Sequence, residues 1–183
     1  ITYYYALLKQ IFLACCAFAD RGNVKFISVA LYLFYRGSTI ARKYMQKKSN
    51  TQTLDQFIGH VFTGEYEQAM ALCDADVKFV VFREERDSQV PIYGTHIGQG
   101  AGTIFFKNLA QMFEFGTFEM EDSIASDNYI VRFGELAHTV KRTGDVFNSL
   151  WTMIVRFDAA GKICLYRMHE DTAALEAAMH VSR

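Results

Sequence analysis

A run of groups able to hold or move protons lies near the C-terminus, at Arg167-Met168-His169-Glu170-Asp171. Side chains alternate along an extended chain, so Arg167, His169 and Asp171 share one face and Cys164, Tyr166, Met168 and Glu170 the other. A carboxylate in such a run works as a general base only where a low-dielectric pocket lifts its pKa towards neutrality. Asp171 also stands directly before Thr172-Ala173-Ala174-Leu175, where its side chain could instead cap a helix by accepting from backbone amides. His169 is able to shuttle protons near neutral pH, or to stand in a pocket wall or at the surface. His138 falls in the middle of an expected strand, where a buried imidazole needs a partner. Tyr93 and Tyr129 offer hydroxyls to a ligand carbonyl, with packing as the alternative. Trp151, Met153 and Val155 alternate and line either a pocket or a core.

Other chemistries find no support. The five histidines show neither HxxxH nor HExxH spacing, so no metal site is expected. Cys15, Cys16, Cys73 and Cys164 form no CxxC pair and are too scattered for a disulfide scaffold. They read as free thiols that pack as small hydrophobes in a reducing compartment, and the expected location is cytoplasmic. The GQGAG stretch at 98–102 lacks the Lys-Ser/Thr of a phosphate loop and reads as a turn feeding a helix. No cofactor is expected. Lys plus Arg number 19 and Asp plus Glu 20, a net charge of −1, which argues against a general nucleic-acid binder.

A chain of 183 residues, 51% hydrophobic and 21% charged, can build one ordinary domain with residues to spare. The surplus is residues 1–50. Two apolar runs there, Ile11–Ala19 and Val24–Tyr35, flank Asp20-Arg21-Gly22-Asn23, and neither reaches the ~18 uninterrupted apolar residues of a spanning helix. The segment is open to three readings: a helical hairpin packing on the domain or a partner, a membrane-associated or targeting segment, or an extension outside the native fold. Residues 42–53 carry Arg42, Lys43, Lys47 and Lys48 and no acid, and are expected to form a solvated linker, or else a patch touching phosphate or anionic lipid.

Residues 51–183 read as a single α+β domain. Leu54, Phe57, Ile58, Val61 and Phe62 recur at helical spacing and Gly64 ends that helix. A short helix over 66–72, a strand over 76–82 and a helix over 103–113 follow. Strands are then expected over 117–126, 129–141, 149–157 and 163–169, with an Ala-rich helix at 172–179. Helices first and an antiparallel meander after them place helices against one face of a curved sheet.

The strings RTGDVFNSLWTMIVRFDAAGKI and GKICLYRMHEDTAALEAAM, with YGTHIGQGAGTIFFKNL before them, resemble SnoaL-like domains of the nuclear transport factor 2-like superfamily. The likeness runs from about Leu54 to Met179. It implies a cone-shaped curved antiparallel sheet wrapped over helices, an apolar pocket for a small ligand, and pairing as a homodimer. It further implies that Asp171 is the general base of a cyclase-, isomerase- or hydrolase-type reaction on an apolar cyclic carbonyl compound. His169 would assist, and the face carrying Arg167, His169 and Asp171 would look into the pocket mouth, with Trp151, Met153, Tyr93, Tyr129 and His138 around the substrate. A non-catalytic pocket or dimerisation module of the same fold is the alternative. Two departures narrow the chemistry. Arg132 and Glu135 are three apart and so fall on opposite strand faces, unlike the epoxide-hydrolase arrangement. The positions of the ketosteroid isomerase acids hold apolar residues, Phe79 to Val81 and Met153.

Overall fold

The computed structural model describes residues 24–181, with side-chain surroundings given from Tyr35 onward apart from scattered positions. Two compact units divide the chain, residues 1–45 and 46–183. The expected hairpin over the first fifty residues depends on 1–23, which lie outside the described residues. Helix α1 (Val24–Phe62) is continuous through residues 42–53, so the expected linker is helical. The physical reason is local. Arg, Lys, Met and Gln are good helix formers, and the polar stretch after them satisfies its own hydroxyls. Thr51 Oγ1 donates to the Lys47 carbonyl and Thr53 Oγ1 to that of Ser49, both at 3.1 Å. No described helix is long and apolar enough to cross a membrane.

After α1 come α2 (Tyr66–Ala71), β1 (Cys73–Val81), β2 (Gly94–Ile97) and α3 (Gln99–Met112). Four long strands follow, β3 (Phe113–Ala125), β4 (Tyr129–Val140), β5 (Val146–Phe157) and β6 (Ile163–His169), and α4 (Thr172–Ala178) closes the domain. The strands form one sheet in the order β2-β1-β6-β5-β4-β3, curved but not closed into a barrel. One expectation needs correction: the sheet is mixed, because β1 lies parallel to β6. The chain returns from the far edge to place β6 between β1 and β5, and only a parallel partner is available there. Gly94–Ile97 forms the edge strand β2.

Alternation decides which strand residues face the helices. On β4 the buried set is Ile130, Arg132, Gly134, Leu136, His138 and Val140. On β5 it is Phe147, Ser149, Trp151, Met153, Val155 and Phe157. The register brings these sets opposite each other, with Arg132 facing Met153 and His138 facing Phe147. Against this face, Phe57 of α1 meets Phe79 of β1, Phe106 of α3 and Tyr166 of β6, with ring centroids 5.7–6.4 Å apart. Stacked, tilted and edge-on rings at these separations add about 0.5–1.5 kcal/mol per pair beyond area burial.

Two devices shape the sheet. Gly134 is required because a Cβ there would strike the backbone carbonyl of Glu119, where β3 breaks register between Met120 and Asp122. Arg132 reaches from the inner face to Asp55 of α1 at 2.5 Å, an ion pair that ties this helix to the sheet.

Candidate functional site

Between the helices and the inner face of the sheet lies a cavity of about 80 Å³. Helix α1 supplies Phe57 and Phe62 to its wall, and α3 supplies Phe105 and Leu109. The sheet supplies Phe118, Leu136 and His138 from β3 and β4, and Phe147 and Met153 from β5. Tyr166 and Met168 of β6, and Glu170 just beyond it, complete the wall. Phe62 and Phe115, 50% and 38% exposed, stand at the solvent side. One water needs roughly 10–15 Å³, and a cavity of about 150 Å³ holds benzene. The space therefore admits a group of a few heavy atoms, with the remainder of a larger ligand reaching the opening.

Glu170 is the acid in this wall. The strand alternation carries Tyr166 and Met168 inward, and Glu170 follows on the same side. Burial alone pushes its carboxyl up from the ordinary 4.5 to about 8, and no hydrogen-bond donor reaches it among the described residues. The backbone is anchored on both sides of it, at Asp171 and at Met168. The Asp171 amide donates to Ser149 Oγ at 2.8 Å, and the Met168 carbonyl accepts from the Phe82 amide at 3.0 Å. Phe82, also in the wall, has a φ of 61°, the left-handed region that a bulky side chain avoids. Such strain costs about 1–3 kcal/mol and gathers at functional sites.

The other titratable groups of the wall stay uncharged. Burial lowers the His138 imidazole, opposed by a hydrogen bond with the Ala137 backbone. The Gly116 amide donates to its Nδ1 at 3.3 Å, and the rings of Phe113, Phe115 and Phe118 surround it. Burial, with Glu170 nearby, raises the Tyr166 phenol.

The remaining residues expected in the site fall elsewhere. Asp171 is the N-cap of α4: Oδ1 accepts from the Ala174 amide at 3.0 Å, and the residue is exposed. That geometry gives Asp171 the capping role and leaves its carboxylate outside the cavity. His169 is exposed as well, and Arg167 turns to Glu84 at 3.2 Å. The inward face of β6 is thus the one carrying Tyr166, Met168 and Glu170, opposite to the expected one. Two apolar residues at the parity of Glu170 are the sequence signal that marks it.

Met153 and His138 do line the cavity; Trp151 does not. Its ring stacks on Phe118 at 4.5 Å, and Nε1 donates to the Glu135 carbonyl. Tyr93 is buried outside the wall. Its hydroxyl lies 3.4 Å from Glu176 Oε1, the Arg83 guanidinium sits over its ring, and burial pushes its phenol up to about 12. Tyr129 is an exposed residue at the start of β4. No group of His, Cys, Asp and Glu among the described residues is placed to hold a metal ion.

No family model and no curated protein matches the sequence. Solved structures do match. An NTF2-like protein from Burkholderia xenovorans LB400 is 22% identical, with 73% of this chain and 97% of that one covered and a TM-score of 0.65. An NTF2-like protein of unknown function from Burkholderia pseudomallei K96243 is 18% identical over 72% and 97%, with a TM-score of 0.62. TerC, co-crystallised with polyporic acid, is 17% identical over 72% and 98%, also at 0.62. At these identities the likeness speaks to architecture. The α+β domain of this chain has the nuclear transport factor 2-like, SnoaL-like fold.

Proposed function

We propose that this domain is a small-molecule pocket protein whose cavity takes an apolar ligand, with Glu170 as its polar anchor. The observation that carries this reading is the carboxyl without a donor, set in a wall that is otherwise aromatic and aliphatic. Mostly apolar pockets with a few polar groups are the common form of small-molecule site, and a structural neighbour, TerC, was crystallised with polyporic acid. The capped, exposed Asp171 favours the binding reading over a reaction based on that residue.

A catalytic reading is supported by one feature, a carboxyl that titrates near neutrality. Such a group can exchange a proton with carbon beside a carbonyl, and in this reading Glu170 takes the general-base role expected of Asp171. The methyl groups of Met153 and Met168 report on the cavity directly. Titration with cyclohexanone should shift these two resonances saturably; no saturable shift at either would overturn the pocket reading. Deuterium uptake by the ketone in heavy water, lost in Glu170→Gln, would support catalysis. Uptake equal in the two proteins sinks that reading and leaves the binding one.

A homodimer formed through the sheet belongs to the same proposal. On the outer face Leu150 is 76% and Val146 54% exposed. Sedimentation should find a dimer that Leu150→Asp turns into a monomer, and a monomeric wild type would overturn it.

A further inference from the structure

We propose that the ligand group seated against Glu170 is a compact organic cation, a substituted ammonium held by the carboxylate and by the surrounding ring faces. This rests on the pocket reading above and names its ligand class. Three observations lead there.

First, no lysine or arginine lines the cavity, and its titratable members besides Glu170 are His138 and Tyr166, both held uncharged by burial. An anionic ligand would find no countercharge. Second, half the wall is aromatic, including Phe57, Phe82, Phe106, Phe118, Phe147 and Tyr166. A neutral apolar ligand is served equally by aliphatic walls, whereas ring faces carry the negative quadrupole that attracts a cation. Third, the Glu170 carboxyl has no partner among the described residues. A positive group seated beside this partly buried carboxyl would supply the missing partner.

The charged groups around Glu170 do not compete for this role. Burial is the one cause of its altered proton affinity, with no charged side chain acting on it. Its sequence neighbours His169 and Asp171 are exposed, Arg167 is engaged by Glu84, and Arg83 on the loop after β1 is engaged by Glu176 of α4.

The proton balance sets the signature. At neutral pH Glu170 carries a proton. When a permanent cation binds, the carboxyl O–H bond breaks, the proton leaves to the buffer, and the carboxylate stays paired with the cation. One proton is released per cation bound, so affinity rises about tenfold per pH unit below pH 8 and levels off above it. A neutral ligand releases none, and its affinity is flat below pH 8.

The test compares choline with its uncharged carbon isostere, 3,3-dimethylbutan-1-ol, by titrating the Met153 and Met168 methyl resonances at pH 6, 7 and 8. Choline should bind more tightly than the alcohol at pH 8 and lose about tenfold per unit towards pH 6. In Glu170→Gln the preference for choline should vanish while the alcohol still binds, which also shows the variant folded. The wild-type pH profile stands without the variant. If the alcohol binds as well as choline at every pH, the cation proposal is overturned and the pocket reading survives. If neither probe nor cyclohexanone moves the two methyls, both fall.

Discussion

Glu170 should make the folded protein less stable as pH rises through the weakly acidic range, and replacing it should remove that dependence. In the unfolded chain its carboxyl ionises near the ordinary 4.5; in the fold, burial holds the proton to about 8. Below 4.5 both states are protonated and the group contributes nothing. Between 4.5 and 8 the unfolded state releases a proton that the folded state keeps. Stability then falls by about 1.4 kcal/mol per pH unit. The loss reaches about 3 kcal/mol at pH 7 and about 4 kcal/mol at pH 8, upper bounds because Glu170 is only partly buried.

The assay is urea unfolding of wild type and Glu170→Gln at half-unit steps from pH 4 to 8.5. The buried amide of the variant adds a cost independent of pH, so the slope of the difference carries the test, not its offset. His138 and His96, both lowered by burial, destabilise the fold towards low pH in both proteins and cancel in the difference. The variant should gain on wild type steadily from pH 4.5 upward. A difference that is flat across that window would refute the placement of Glu170 in a low-polarity wall.

Other expectations follow from named contacts. Asp171→Ala removes the cap of α4 and should cost about 1 kcal/mol in thermal unfolding without changing probe binding, while Asp171→Asn, an equally good cap, should match wild type in both. A loss of binding in the Asn variant would restore Asp171 to the site. Asp55→Asn strips the countercharge from Arg132, whose side chain is 9% exposed; Asp55 itself is 57% exposed and screened by water, so stability should fall by about 1 kcal/mol. Arg132→Met should recover most of that loss in the same urea series. Gly134→Ala drives a methyl into the Glu119 carbonyl and should cost about 3 kcal/mol, seen as a lower melting temperature.

Local pattern alone carried much of the domain. The period-2 alternation of Tyr129–Val140 and Val146–Phe157 names strands and their buried faces without any knowledge of their partners. Asp171 before an Ala-rich stretch signals its cap for the same reason: the contact spans three residues. Where β6 pairs is another matter. Its parallel partner β1 lies about ninety residues earlier in the chain, and no pattern inside 163–169 specifies it. The helical stretch 42–53 looked like a linker because its residues are polar, yet polarity does not oppose a helix whose next turn, Leu54 and Phe57, is pulled into a core.

For the site, sequence by itself determined that the C-terminal strand would deliver two alternating sets of side chains, one with Asp171 and one with Glu170. Only the tertiary structure decided which set meets the cavity. That choice rests on which face of β6 the rings of α1 and α3 cover, an interaction between segments far apart in sequence. The same packing removes water from Glu170 and so sets its proton affinity. Burial is a property of the assembled fold, and the residue carries no mark of it.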